Sequence, residues 1–352
     1  MEIKPDFKAI VQAYFPREST FKVQALGDGN INDTYRIDLS KGAFLLQKIN
    51  RVIFKEPEVV LNNHQLILQH LKKHSSGLLL PKLIQTDKQL LAYPDANGGC
   101  WRMLTFLEHT YGVESANSVD QVAAAAGAIG RFIAALNQAP APKLGATLPD
   151  FHHFQKRYAA FLQILKTANP DRRTEAAESI EFLLHWAQSI PDYKALNLPQ
   201  RLVHNDPKIG NVLFNQKDQA VAVIDWDTVM PGTLPTDFGD MVRTMVASVS
   251  EDEADLDLVN VNKDYFSALC QHFLKPLKPL LRPLEKQYLM SGAFYIVLEQ
   301  MLRFLQDYLL EDVYYKIQYP KHNLVRARNQ QALFQALKNQ EQQLEVLIAE
   351  AL

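Results

Sequence analysis

The stretch "LVHNDPKIGNVLF", residues 202–214, decides how the rest of the chain is read. It holds His204, Asp206 and Asn211 on a segment broken by Pro207 and Gly210. Polar groups at that spacing belong on a loop, not in a strand or a helix core. "NVLF" ends the stretch, and "AVAVIDWD" follows after the turn residues "NQKDQ". Two short strands around such a turn predict a hairpin. Its first strand leaves from Asn211 and its second ends at Asp225, so Asp206, Asn211 and Asp225 should meet. A lone H-x-D is commonly a turn, with Asp206 before Pro207 and Asp225 as a strand-end cap. Here spacing, hairpin and second carboxylate agree.

Phosphoryl transfer needs this set. An Asp orients the attacking hydroxyl and accepts its proton, while Asn and Asp oxygens hold magnesium ions that bridge the phosphates. H-x-D-x-x-x-x-N followed by a hairpin ending in Asp is the arrangement of a kinase catalytic loop. His204 is expected to be a buried support of the loop.

The bulk numbers exclude other classes. The 352 residues suit about two domains of roughly 150 residues each. Hydrophobic residues make up 47% and charged residues 22%, so the chain is globular, not disordered. A formal charge of -2 offers no global field for nucleic acid or an anionic membrane. Cys100 and Cys270 form no C-x-x-C, which argues against a disulfide framework or structural zinc and for a reducing cytoplasm. "MEIKPDFKAIVQAYF" reads as an amphipathic helix and not a signal peptide, and runs such as "FYIVL" fall short of the ~20 apolar residues of a membrane span.

The expected fold class is α+β. "FKVQALG", "TYRIDL", "AFLLQKIN", "LLLPKLIQT", "QLLAY" and "CWRMLTFL" are expected strands of a small antiparallel sheet, with one helix beginning near Pro57. Long helical patterns follow, down to a terminal helix from about Val325. The division falls between a lobe of residues 1–106 and a helical lobe of residues 107–352.

"HNDPKIGNVLF", continued by "VIDWDTVMPGTLPTDFGDMVR", resembles the aminoglycoside phosphotransferase and choline kinase-like superfamily. "GNINDTY", "LRFLQDYLLEDVYYKI" and "NLVRARNQ" bring it nearer to the N-acetylhexosamine 1-kinases. The resemblance implies a bilobal, protein-kinase-like fold with ATP in the cleft. It makes Asp206 the catalytic base and Asn211 and Asp225 the Mg²⁺ ligands, with Asp227 as a secondary metal or water contact. Asp237 and Asp240 would serve the cleft or, more blandly, anchor the following helix.

On the nucleotide side, Gly27 and Gly29 would let backbone amides approach the phosphates. The kinase G-x-G-x-x-G is incomplete, with Asn32 at the third position, and two hairpin glycines are commonly only a turn. Lys48 is the expected phosphate cation. A register shifted by one would turn Gln47 to the nucleotide and leave Lys48 on the surface. Glu58 is a possible partner, or an exposed first-turn acid favoured by the helix dipole. Adenine is expected near Leu104 to Leu107.

On the acceptor side, the acidic run "SEDEADLD" reads as a solvated loop. Arg303, Arg326, Arg328, Tyr314 and Asn323 supply donors suited to hydroxyls and an acetamide carbonyl. Spacing alone would pair Arg303 with Asp307 on the helix surface. The resemblance carries Arg303 and Tyr314 over as sugar contacts, and Asn32 and Asp33 of the first loop could touch sugar or phosphate or, more blandly, simply form a turn. The expectation is an ATP- and Mg²⁺-dependent cytoplasmic kinase acting on the anomeric hydroxyl of N-acetylglucosamine or N-acetylgalactosamine. The alternatives are a kinase of another small alcohol and a regulatory pseudokinase, against which intact Asp206, Asn211 and Asp225 argue.

Overall fold

The computed structural model describes residues 5–26 and 31–352, an α+β fold with an N-terminal antiparallel sheet and a helical C-terminal region. Helix α1 (Phe7–Tyr14) starts at Asp6, whose carboxylate accepts the Ala9 N–H at 3.1 Å. Strands β1 (Lys22–Ala25), β2 (Asp33–Leu39) and β3 (Gly42–Ile49) lead to helix α2 (Pro57–Lys73), with Pro57 in its first turn. Then come β4 (Leu83–Ile84), β5 (Tyr93–Pro94) and β6 (Cys100–Thr105). The order is β1-β2-β3-β6-β4, with β5 beside β6.

"LLLPKLIQT" and "QLLAY" give only two-residue strands. Pro81 has no N–H to donate, and Thr86 closes a tight turn with Leu90 through both its N–H and its hydroxyl. One sheet face buries Ile37, Leu46, Trp101 and Met103 against Ile10, Val11 and Tyr14 of α1. On the other side Ile49 packs with Phe54, Val60 and Leu61 at α2.

After β6 the chain crosses to a second sheet: β7 (Thr110–Tyr111) pairs with β9 (Val212–Asn215), which pairs with β10 (Ala220–Val223). Strands β8 (Arg201–Val203) and β11 (Met230–Gly232) form a further ribbon. Around these lie α3 (Val119–Leu136), α4 (Phe154–Thr167), α5 (Pro170–Glu175), α6 (Ala177–Ala187) and α7 (Leu234–Met241). Helices α8 (Lys263–Leu277), α9 (Pro283–Gln287), α10 (Leu289–Leu309), α11 (His322–Asn339) and α12 (Glu341–Ala351) complete the chain. The expected single terminal helix is thus two, broken at Gln340. Helix α3 is long and apolar enough to cross a membrane, yet 67% of that stretch is buried, as in a core helix. Helices α7 and α10 cross in backbone contact, since a Cβ on Gly292 would collide with the Pro235 carbonyl.

Candidate active site

The hairpin forms as its sequence predicts, with Val212 opposite Val223 and the Ile224 N–H donating to the Asn211 carbonyl at 2.9 Å. That bond sets Asn211 beside the Ile224–Asp225 end of the other strand. The loop before it is held from beneath by Asp237, buried in α7, which accepts the N–H groups of His204 at 2.7 Å and Asn205 at 2.8 Å. Buried His204 bonds through Nε2 to the Ile224 carbonyl at 3.0 Å, and burial holds its pKa below the usual histidine value. A neutral, enclosed imidazole is a support and not a proton carrier.

Asn211 donates its amide N–H to the Asp206 carbonyl at 2.8 Å and to Oδ2 of Asp206 at 3.1 Å, which leaves its own Oδ1 free of these bonds. Lys208 Nζ lies 3.1 Å from Oδ2 of Asp206. Burial opposes ionisation of Asp206, but Lys208 and neighbouring positive charge outweigh it and hold the carboxyl below its usual range. Asp225 behaves oppositely: its side chain opens to solvent, yet the surrounding protein and the nearby Asp227 and Asp206 charges raise its pKa above the usual carboxylate range. Converging carboxylates with too little positive charge are what a cation would relieve. Among the described residues no three His, Cys, Asp or Glu groups form a metal cage by themselves. Asn211 Oδ1 and the Asp225 carboxylate are oxygens of the kind that Mg²⁺ takes, one or two from protein with phosphate and water completing its shell.

Asp227 makes contacts other than the secondary metal or water contact that the resemblance implied. It forms a bidentate pair with Arg102 of β6, at 2.6 and 2.9 Å, and accepts the Asn32 side-chain amide at 2.9 Å. Gln47 Oε1 accepts from the same guanidinium at 2.7 and 3.0 Å. On this face of the sheet Arg102 is the cation that meets Asp227, and the sequence reading missed it. Its signal was a lone charge inside an otherwise apolar strand, where it must find a partner.

Lys48 is corrected accordingly. It stands opposite Trp101 in the register, with Nζ 5.8 Å from that ring, on the face that packs α1, while Gln47 takes the Arg102 face. Period-two alternation makes the faces exclusive. Asp33 pairs with Lys48 in the register, so it is exposed on the far side from Asp206. Glu58 is an exposed first-turn residue of α2. Gly27 and Gly29 lie outside the described residues. Leu104 is buried between Leu45 and Leu83, and Leu107 sits where β6 gives way to β7, its carbonyl accepting the Thr110 hydroxyl at 2.6 Å.

On the acceptor side the acidic run is not a free loop. Glu251 pairs with Arg243 at 2.6 Å, Asp252 meets His322 at 2.9 Å and Arg326 at 2.6 Å, and Asn329 donates to the Ser250 and Glu253 carbonyls. Arg328 donates to the Glu175 carbonyl, and Asn323 to Asp307 and Asp312. Those expected sugar donors are engaged within the fold. Asp307 accepts from Asn323 and from the Tyr314 and Tyr315 N–H groups, not from Arg303. Among the described residues Arg303 donates to Gln300 at 3.2 Å and lies against the Phe151 and Tyr315 rings. Tyr314 packs edge-on against Tyr315 with its side chain largely exposed.

Comparison with known proteins bears on the fold and the family. The chain is similar to an aminoglycoside phosphotransferase from Alicyclobacillus acidocaldarius, at 15% identity and a TM-score of 0.62, covering 97% of this chain and 98% of that one. It is also similar to a choline kinase from Cryptosporidium parvum, at 14% identity and a TM-score of 0.57 over 98% and 95% of the two chains. A spectinomycin phosphotransferase in complex with ADP and spectinomycin matches at 15% identity and a TM-score of 0.53, over 92% and 94%. These likenesses establish the fold. A sequence model of the phosphotransferase enzyme family matches residues 22–269, which contain the loop, the hairpin and Arg102. The chain belongs to the phosphotransferase enzyme family.

Proposed function

We propose that the protein transfers the γ-phosphoryl group of ATP, with Mg²⁺, to the anomeric hydroxyl of an N-acetylhexosamine. Nucleotide would lie between the sheet and the helical region, which we divide at residues 106 and 107, with adenine against the backbone of Leu104 to Leu107. Asp206 accepts a hydrogen bond from the acceptor hydroxyl and takes its proton as the new O–P bond forms. Its depressed pKa suits orientation of the hydroxyl, and in a loose transition state the proton moves late. Lys208 stands beside it as a cation for the phosphoryl oxygens. Asn211 and Asp225 would hold magnesium, which supplies charge neutralisation between the phosphates.

One observation carries the acceptor assignment. The carboxylates on that side already have basic partners, Glu299 with Arg157 and His152, and Asp240 and Glu251 with Arg243. Such a pocket has little to offer a polycation. Arg303, lightly bonded between aromatic rings, has donors left for a neutral sugar and its acetamide. The free thiols Cys100 and Cys270 support a cytoplasmic location. A screen of purified protein with Mg²⁺-ATP against N-acetylhexosamines, amino alcohols and aminoglycosides tests the reading. Sugar-dependent ADP release with a sugar 1-phosphate product is expected, and turnover confined to an amino alcohol or an aminoglycoside would refute it.

A further inference from the structure

His152, just before α4, has an acceptor against each ring nitrogen. Nδ1 lies 2.8 Å from Oε2 of Glu299 on α10, and Nε2 lies 3.0 Å from the Asn205 carbonyl oxygen. An ionised carboxylate and a peptide carbonyl have no proton to give. A neutral imidazole, with one N–H, would set a lone pair against one of them, so both contacts require the doubly protonated ring. The charges around it are Glu299 and Arg303 on α10, Arg157 on α4, and Asp237 and Asp240 on α7. Arg157 Nε approaches the other Glu299 oxygen at 2.7 Å, as an ion-pair contact and not an aligned hydrogen bond. Burial works against charge on His152, but Glu299 and the Asn205 carbonyl outweigh it and raise the pKa above the ordinary 6.5.

The bonded carbonyl belongs to the peptide that joins Asn205 to Asp206. Asn205 is left-handed, with φ of +62°, a region asparagine tolerates better than most residues, and its polar groups are held on three sides. Asp237 holds its N–H and Thr228 its side-chain amide, the latter at 2.9 Å. His152 holds its carbonyl. Rotation of that peptide plane would swing the Asp206 carboxylate. Glu299, at the other end of the imidazole, lies one helical turn from Arg303.

We propose that His152 is a positioning residue, which ties the Asn205–Asp206 peptide to helix α10 so that Asp206 and the acceptor pocket keep one geometry. The proposal rests on Asp206 as the group that orients the acceptor hydroxyl. His152 touches no reacting atom. Loss of its second proton breaks one of the two bonds, so kcat should fall as pH rises through a pKa above 6.5, while KM for ATP holds.

The test uses steady-state kinetics from neutral to alkaline pH with Mg²⁺-ATP and N-acetylglucosamine, and with water as acceptor should that sugar not react. His152→Asn keeps a donor toward Glu299 only, and His152→Gln keeps one toward Asn205. His152→Asn should lower kcat about tenfold to a hundredfold, the cost of a misplaced catalytic group, with KM for ATP nearly unchanged. His152→Gln, which still holds the Asn205 carbonyl but not Glu299, should lose no more than wild type loses at alkaline pH, and that smaller loss should not change with pH. On an Asp206→Asn background, His152→Asn should cost nothing further. Wild-type kcat and pH profile in His152→Asn, beside an inactive Asp206→Asn, would overturn the His152 proposal alone. Full turnover in Asp206→Asn would overturn the base assignment and the proposal together. Equal losses in both His152 variants, additive with Asp206→Asn and tracking a lower Tm, would also overturn it, because they describe a purely structural residue.

Discussion

Asp206 sits within 3.1 Å of both the Lys208 ammonium and the Asn211 amide, so its charge is held in place before any substrate arrives. Replacing it with Asn keeps the shape and removes the proton acceptor. Turnover should fall by ~10² or more with nucleotide binding retained, measured by ADP release and by calorimetric titration of the nucleotide. Arg303 offers a second residue-scale test. Truncation to Ala should lower kcat/KM for an N-acetylhexosamine by about tenfold to a hundredfold, the worth of roughly 1.5–3 kcal/mol for a charge-assisted bond. ATP affinity should hardly move. Unchanged sugar kinetics would return Arg303 to a packing role against Phe151 and Tyr315.

Among the elements, the hairpin β9–β10 joins the two expected metal ligands by one backbone bond between Ile224 and Asn211. Asp225→Ala should abolish the Mg²⁺ dependence of nucleotide binding and activity together, which a magnesium titration of both would register. An unaltered titration would remove Asp225 from the metal site. Helix α7 has a different duty: it presents Asp237 under the His204–Asn205 backbone and presses Pro235 and Gly239 onto α10 at Gly292. Gly292→Ala puts a methyl group into a neighbouring backbone that cannot fold away as a side chain would. It should destabilise the protein by at least ~1–3 kcal/mol in chemical denaturation and lower turnover through the displaced Asp237.

Across the whole molecule, the sheet and the helical region are joined at the site by a buried ion pair. Arg102 and Asp227 are almost fully enclosed, and Gln47 and Asn32 complete their hydrogen bonds. Removing one partner strands the other charge, so Asp227→Asn should cost about 3–5 kcal/mol of stability, read from a denaturation midpoint. The half-exposed Arg36–Asp38 pair of β2 is the control, and its loss should move the midpoint little. His152 adds a pH term with a definite sign. Its pKa is raised in the folded state, so its contribution to stability is complete below about 6.5 and is lost as pH rises through the folded value. A melting series across that range should show the fall in wild type and not in His152→Gln.

Local chemistry was legible in the chain. Asp206, Asn211 and Asp225 could be read together because a five-residue spacing and a two-strand turn are short-range features, governed by backbone geometry over a dozen residues. The same holds for Pro57 at the start of α2 and for the α+β class. Face and partner were not legible. Whether Lys48 or Gln47 turns toward the site depends on register across β3 and β6, and a strand pattern apolar on both faces does not disclose it. Arg102, Asp237 and His152 earn their roles through Asp227, the His204–Asn205 backbone and Glu299, which lie 125, 33 and 147 positions away along the chain at most. The sequence by itself determined which chemical groups the loop from His204 to Asn211 carries. Only the tertiary structure decided what holds them, because a buried charge is satisfied by whichever distant partner packing brings within hydrogen-bonding distance.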